Sequence, residues 1–220
     1  LVHLLMGEKQ RLHAQGRDHQ NTTLDHALPG NPLRGFELLV KSAYLTGQAV
    51  FMLLMTWVAT ILYFLQADYI AKAYSAVEQR AIAFADVDLF VNIGAVIILI
   101  AGTSRIMKRF GVTASLVLTP VLMVGAFAAL LASPSLFMVQ AARALQRITQ
   151  YGVARPSREV LFTVIGQQEK YKAKNVSDTV VYRFGDLTAA WMQAGLRFAG
   201  FGFAGAVTAG VAIAAAWGFV

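Results

Sequence analysis

Long apolar runs separated by short polar segments fill the chain from about residue 41 to residue 220. An α-helix rises about 1.5 Å per residue, so about 20 apolar residues cross the hydrocarbon core of a bilayer. The runs predict six membrane-spanning helices, at about residues 44–66, 89–107, 112–132, 137–165, 179–199 and 201–220. Between them, residues 68–88 are predicted to form a short helix or a loop, and residues 166–177 a charged loop.

The segment before the first run is polar. Residues 1–40 are rich in Gln, His, Asn and Asp, and they predict a linker ahead of a six-helix unit at residues 41–220. This segment and the loops after the second and fourth spans carry most of the Lys and Arg outside the spans, whereas the alternate loops carry only Lys72 and Arg80. Because basic loops stay in the cytoplasm, the linker and both termini are predicted to be cytoplasmic.

Composition supports an integral membrane protein and excludes several other classes. Of the 220 residues, 57% are hydrophobic and only 14% are charged, whereas a soluble domain carries about 25% charged residues. The net charge is +7, and most of the basic residues lie between the spans, where a membrane protein places cytoplasmic charge. No nucleic-acid partner is therefore expected. The chain has no cysteine and only four irregularly spaced histidines, so no metal or cofactor is expected. No base, nucleophile and orienting group recur at usable spacing within the spans, which argues against an enzyme.

The fourth apolar run differs from the others because it carries arginine. An arginine near the centre of a bilayer costs about 2.5 to 3.5 kcal/mol, so a span that contains several must face water, protein or an anion. At 100° per residue, one arc of about 100° collects six polar side chains. They are Gln140, Arg143, Arg147, Gln150, Tyr151 and Arg158. Gly152 and Pro156 predict a kink, because proline cannot donate to the carbonyl four residues earlier.

Two roles are predicted for these residues and their neighbours. The solute-contacting set contains Arg143, Arg147, Gln150, Tyr151, Gln140, Thr60 and Tyr63. The guanidinium groups of Arg143 and Arg147 lie one turn apart and suit a phosphorylated anion; alternatively, they pair with acids or carbonyls in a structural role. The second set forms a gate or an ion-pair network near the cytoplasmic end. It contains Arg155, Arg158, Glu159, Asp178, Arg183 and Asp186.

Two stretches carry a resemblance to known transporters. The segment Gly102-Thr-Ser-Arg-Ile-Met-Lys-Arg-Phe-Gly111 is similar to the basic loop of major facilitator superfamily carriers. Residues 155–196, RPSREVLFTVIGQQEKYKAKNVSDTVVYRFGDLTAAWMQAGL, resemble the ATP/ADP translocase family and its bacterial relatives. That family continues with a Gly-Lys-Ser-Gly-Gly segment where this chain has Gly185 and Asp186, so an acid replaces a lysine.

The resemblance implies a fold class: an all-α membrane protein with six transmembrane helices in two inverted three-helix repeats, half of a major-facilitator fold. The missing amino-terminal half of the same carrier would be a partner, and residues 1–40 would be the central loop. A bacterial inner membrane is the implied location.

The predicted function is a secondary transporter that exchanges an anionic, phosphorylated solute, such as ATP for ADP, by alternating access. Two alternatives stay open at this point. One is a major-facilitator carrier for a drug, lipid or peptide, and the other is a membrane interaction protein that transports nothing.

Overall fold

The computed structural model describes residues 34–164 and 167–220. The predicted linker at residues 1–40 therefore lies mostly outside the described residues. The described helices, in chain order, are α1 Arg34–Lys41, α2 Ala43–Ala73, α3 Val77–Ile97, α4 Thr103–Ala132, α5 Leu136–Thr149, α6 Arg155–Leu161, α7 Gln167–Val176, α8 Tyr182–Phe198 and α9 Phe203–Gly218. Short π-helical turns at Ile98–Gly102, Gln150–Ala154 and Ser177–Val181 join consecutive helices, and a 3₁₀ turn at Phe162–Val164 follows α6. The described part of the chain is all-helical, as predicted.

Local sequence signals explain where several helices begin and end. Ser42 and Ser135 cap α2 and α5, because each hydroxyl accepts a hydrogen bond from the backbone N–H three residues later. Gly200, at φ 78°, ends α8. The N–H of Phe201 donates to the carbonyl of Leu196, which is the bond that typically closes a helix at a left-handed glycine.

The helices extend beyond the predicted spans. Residues 68–88, predicted as a short helix or loop, belong to α2 up to Ala73 and to α3 from Val77. Most of residues 166–177, predicted as a loop, form α7. Apolar run length estimates only the part of a helix that lipid would cover, since polar residues continue a helix equally well in water. The helices are therefore longer than the predicted spans, and the span boundaries stay a prediction.

Two helices are long and apolar enough to cross a membrane, namely Ala43–Ala73 and the continuous stretch Val77–Ala132. Helix α9 is apolar but shorter, with 16 residues. These helices give weak support for membrane association, and the prediction of six spans in inverted repeats stays a prediction.

The stretch Val77–Ala132 turns back at Gly111, whose φ of 83° and ψ of 171° are not helical. Before this point, Gly94 lies beside Ile148 and Gly152 lies beside Ile98, so α3 runs in the same direction as the α5–α6 segment. After it, α4 reaches the turn at residues 133–135 and α5 follows directly. The two parts therefore run in opposite directions, which agrees with the predicted separation of the second and third spans.

The main hydrophobic core lies between α2, α4, α5 and α9. Its fully buried side chains include Val58, Ile61, Phe127, Val139 and Trp217. Helix α2 also packs along α8 and, through its first turns, approaches α6. This central position of α2 places its polar residues between the core and the faces of α5, α6 and α8.

Candidate functional site

Two adjoining cavities lie between α2, the α5–α6 segment and α8. The first, which we call the arginine cavity, has a volume of about 310 Å³. It is lined by Phe51, Met52, Met55, Gln150, Tyr151, Ala154, Arg155, Arg158, Asp178, Thr179, Tyr182 and Arg183. The second, which we call the Asp186 cavity, has a volume of about 380 Å³. It is lined by Ala59, Thr60, Tyr63, Phe64, Arg143, Tyr182, Asp186 and Ala190. Tyr182 borders both cavities.

Charge in the arginine cavity is unbalanced. Arg158 is buried, with 5% of its surface exposed, and its Nη2 donates to Asp178 Oδ1 at 2.7 Å. Arg155 and Arg183 are exposed, and neither forms an ion pair with the described residues. Three guanidinium groups therefore share one carboxylate, and that carboxylate is already bound by Arg158. The cavity has two arginines available for an anion.

The π-turn at Gln150–Ala154 decides which residues face this cavity. Since proline has no N–H, the carbonyl of Gly152 loses its usual helical partner at Pro156. The hydroxyl of Thr103 donates to that carbonyl instead. A Cβ on residue 152 would lie 2.8 Å from Ile98 Cγ2, so only glycine permits this close approach. Both contacts fix the irregular turn against α4 and the preceding π-turn.

The turn changes the face that a straight helix would present. On a regular helical wheel, Arg155 falls outside the polar arc that contains Tyr151 and Arg158. A π-turn adds a residue to the turn and rotates the following residues relative to the preceding ones. Arg155, Tyr151 and Arg158 consequently line one cavity, and the Arg155 guanidinium lies 5.8 Å from the centre of the Tyr151 ring.

The predicted solute-binding pair, Arg143 and Arg147, is divided in the structure. Arg143 lines the Asp186 cavity, where its Nη1 donates to the carbonyl of Ala59 and to Gln146 Oε1, each at 2.9 Å. Arg147 lines neither cavity and forms an ion pair with Asp88 on α3. Both guanidinium groups thus have protein partners, which corresponds to the structural alternative of the sequence reading. Their predicted contact with a solute stays a prediction.

The other predicted residues lie in different places. Gln150 and Tyr151 line the arginine cavity, while Thr60 and Tyr63 line the Asp186 cavity. Two members of the predicted gate or ion-pair network also have partners. Asp186 Oδ1 accepts from Thr60 Oγ1 at 3.4 Å, and Glu159 pairs with Lys174 at 2.7 Å. Gln140 stands alone, since it is half-buried and lines neither cavity.

Sequence reasoning missed Tyr182, Thr179 and the apolar wall formed by Phe51, Met52 and Met55. A signal for Tyr182 was present, because Asp178, Tyr182 and Asp186 recur every four residues and therefore share one helical face. The apolar wall gave no comparable signal, since any residue of an apolar helix can pack against a neighbour.

No family model, curated protein or solved structure matches this chain. The resemblance to major-facilitator carriers and to ATP/ADP translocases therefore rests on the sequence segments alone and stays a prediction.

Proposed function

We propose that this protein is a secondary transporter that exchanges an anionic, phosphorylated solute across a membrane by alternating access. The observation that carries the proposal is the arginine cavity, in which Arg155 and Arg183 have no acidic partner among the described residues. A guanidinium group keeps its charge and binds phosphate through two parallel hydrogen bonds. Two such groups beside each other favour a phosphorylated anion.

The surroundings of these arginines support the same ligand. Phe51, Met52 and Met55 form an apolar wall, which lowers the local dielectric constant and strengthens the attraction between cation and anion. Tyr151 and Tyr182 carry hydroxyl groups that can donate to phosphate oxygens. Together with the adjoining Asp186 cavity, the volume lies in the range of small-molecule sites, about 300 to 1,000 Å³. A solute larger than inorganic phosphate, such as a nucleotide, is the proposed cargo.

The proposal changes the roles predicted from sequence. Arg155 and Arg183 contact the anion, and Arg158, held by Asp178, supports the wall beside them. Arg143 and Arg147 connect helices through Ala59 and Asp88. The two guanidinium groups without acidic partners among the described residues leave net positive charge at this cavity until an anion enters, which favours exchange over transport in one direction.

The proposal also includes what surrounds these helices, namely the bilayer and the other half of the carrier. A lipid bilayer covers the apolar faces of α3 and α4, and the amino-terminal half of the carrier forms the opposite wall of the cavities. The exposure of Arg155, Arg183 and Tyr63 supports an opposite wall, because these side chains are open on the cavity side.

Liposomes that contain the purified protein and unlabelled ADP provide the test, with uptake of labelled ATP as the measurement. Arg155→Ala and Arg183→Ala are each expected to lower uptake about 10- to 100-fold, the usual loss for a hydrogen bond to a charged group. Arg105→Ala is the matched control, because Arg105 is exposed and, among the described residues, its Nη1 binds only the carbonyl of Ala101 on the preceding turn.

Normal uptake by both cavity variants contradicts the proposal. Loss of uptake in Arg143→Ala with normal uptake in Arg155→Ala would show that Arg143, and not Arg155, contacts the solute. Transport that depends on a proton gradient and requires no anion indicates a carrier for another class of solute.

A further inference from the structure

The Asp186 cavity, unlike the arginine cavity, is lined by one cation and one acid. Arg143 and Asp186 are the charged residues among the described residues that line it. The Arg143 guanidinium is held by the carbonyl of Ala59 and by Gln146. It also lies 5.8 Å from the centre of the Tyr63 ring. Because the two charges offset each other, this cavity gives little attraction to a further charged group.

The carboxylate of Asp186 keeps most of its capacity to accept hydrogen bonds. Asp186 is half-buried, and among the described residues its one hydrogen bond is the long contact from Thr60 Oγ1 to Oδ1, at 3.4 Å. It forms no ion pair in that part of the chain. An ionised carboxylate accepts about four hydrogen bonds and donates none. A group that completes the bonding of Asp186 must therefore be a hydrogen-bond donor.

This acceptor lies one helical turn from an arginine of the proposed anion site. Arg183 and Asp186 are three residues apart on α8, and side chains at this spacing have Cβ atoms about 5 to 6 Å apart. The two residues line adjoining cavities and, among the described residues, form no ion pair with each other. Tyr182 borders both cavities. A skeleton of two or three carbons is long enough to connect a group bound at Arg183 to a group bound at Asp186.

We propose that the solute is a phosphate ester with hydroxyl groups on its carbon skeleton, and that Asp186 recognises those hydroxyls. The inference rests on the proposed function, because Arg155 and Arg183 bind the phosphate end. Neighbouring hydroxyls on the skeleton donate to Oδ1 and Oδ2 of Asp186. The ribose of a nucleotide meets this requirement with its two hydroxyls.

Charged groups at this end of the solute fit less well than hydroxyls. A second phosphate or a carboxylate is repelled by the like charge of Asp186. An ammonium group is attracted by Asp186 but repelled by Arg143, which already lies against the Tyr63 ring where a cation would otherwise bind. A hydroxyl donates to the carboxylate and meets neither repulsion.

Isothermal titration calorimetry on the purified protein tests the inference without transport. The probes are glycerol 3-phosphate and propyl phosphate, which share a phosphate and three carbons and differ only in two hydroxyl groups. Glycerol 3-phosphate is expected to bind about tenfold more tightly or better, because hydrogen bonds to a charged group are stronger than those between neutral groups. This comparison uses the parent protein and needs no folded variant.

Variants then identify the residue that selects the hydroxyls. Asp186→Ala should bind the two esters equally, and its affinity for propyl phosphate should not fall, because that ester makes no bond to Asp186. Asp86→Ala is the matched control, since Asp86 is an exposed aspartate on α3 that lines neither cavity. It should keep the preference of the parent protein. Arg155→Ala should weaken both esters by the same factor, because they share the phosphate.

The outcomes separate this inference from the proposed function. Equal binding of the two esters by the parent protein, with both weakened in Arg155→Ala, overturns the hydroxyl inference and leaves the anion site in place. Binding of neither ester overturns both. A preference for glycerol 3-phosphate that persists in Asp186→Ala overturns the role of Asp186. Tighter binding of 3-aminopropyl phosphate than of glycerol 3-phosphate also overturns the inference, because it shows that the cavity selects an ammonium group.

Discussion

The interface between α2 and α8 and the interface between α4 and α9 are held together by different kinds of contact. Helix α2 runs parallel to α8, and the contacts between them include polar pairs: Trp57 Nε1 donates to Thr188 Oγ1 at 2.9 Å, and Asp68 pairs with Arg197. Helix α4 runs against α9 through apolar contacts, with the ring of Phe127 lying on Gly210. The first interface borders the proposed solute site and the second does not.

The two interfaces differ in what they contribute: the apolar one mainly stabilises the fold, and the one with polar contacts also borders the proposed solute site. The α4–α9 interface is apolar and packs closely where Phe127 lies on Gly210, so its strength comes from the fit of its side chains. The α2–α8 interface carries Thr60, Tyr182 and Asp186 on its open side, where polar groups keep part of their bonding capacity. We therefore expect substitutions at the apolar interface to affect folding more than substitutions of single polar contacts between α2 and α8.

Gly210→Ala should have the largest effect. A Cβ at this position would lie 2.6 Å from two carbons of the Phe127 ring, which is fully buried. Overpacking of this kind costs about 1 to 3 kcal/mol of unfolding free energy. Thermal denaturation in detergent, followed by circular dichroism, measures the loss.

Gly195→Ala is the matched control, because a Cβ at residue 195 would have no heavy atom within 4 Å apart from its own helix and chain neighbours. It should leave stability unchanged or raise it by up to about 1 kcal/mol, owing to the better helix propensity of alanine. Equal melting temperatures for Gly210→Ala and Gly195→Ala would show that the α4–α9 interface is not tightly packed.

Thr188→Val should have an intermediate effect, because it leaves the indole N–H of Trp57 without its acceptor. A hydrogen bond of this type contributes about 0.5 to 1.5 kcal/mol. Thr208→Val is the control, since in the part of the chain that the structure describes the Thr208 hydroxyl donates only to carbonyls of its own helix. If both variants melt at the same temperature, the interhelical bond adds nothing to the α2–α8 interface.

Arg197→Gln should have the smallest effect. Its side chain and that of Asp68 are 51% and 43% exposed, and exposed ion pairs contribute about 0 to 1 kcal/mol. The difference in melting temperature from the parent protein should shrink further when salt is added, because salt screens exposed charges. A large loss that does not respond to salt would place this pair in a low-dielectric environment.

The helical class and several breaks could be predicted from the sequence, because both depend on local properties. Apolar runs predicted helices at the correct places, although α2 and α3 continue through most of residues 68–88, which were predicted as a short helix or a loop. Pro156 and Gly152 predicted an irregular turn, and the π-turn at Gln150–Ala154 lies there. The direction of the turn was not predictable, since it depends on contacts of Gly152 with Ile98 and Thr103, about 50 residues earlier in the chain.

The sequence by itself determined that this chain is a basic, apolar, helical protein with arginines inside an apolar run, because composition and periodicity need no knowledge of neighbours. Only the tertiary structure decided which arginines have partners. Arg143 binds the carbonyl of Ala59, 84 residues away, and Arg147 binds Asp88, 59 residues away. A guanidinium group is neutralised or left available by whatever helix packs against it, and no local pattern specifies that helix. For this reason, only the fold shows that Arg155 and Arg183 are the two arginines that remain available.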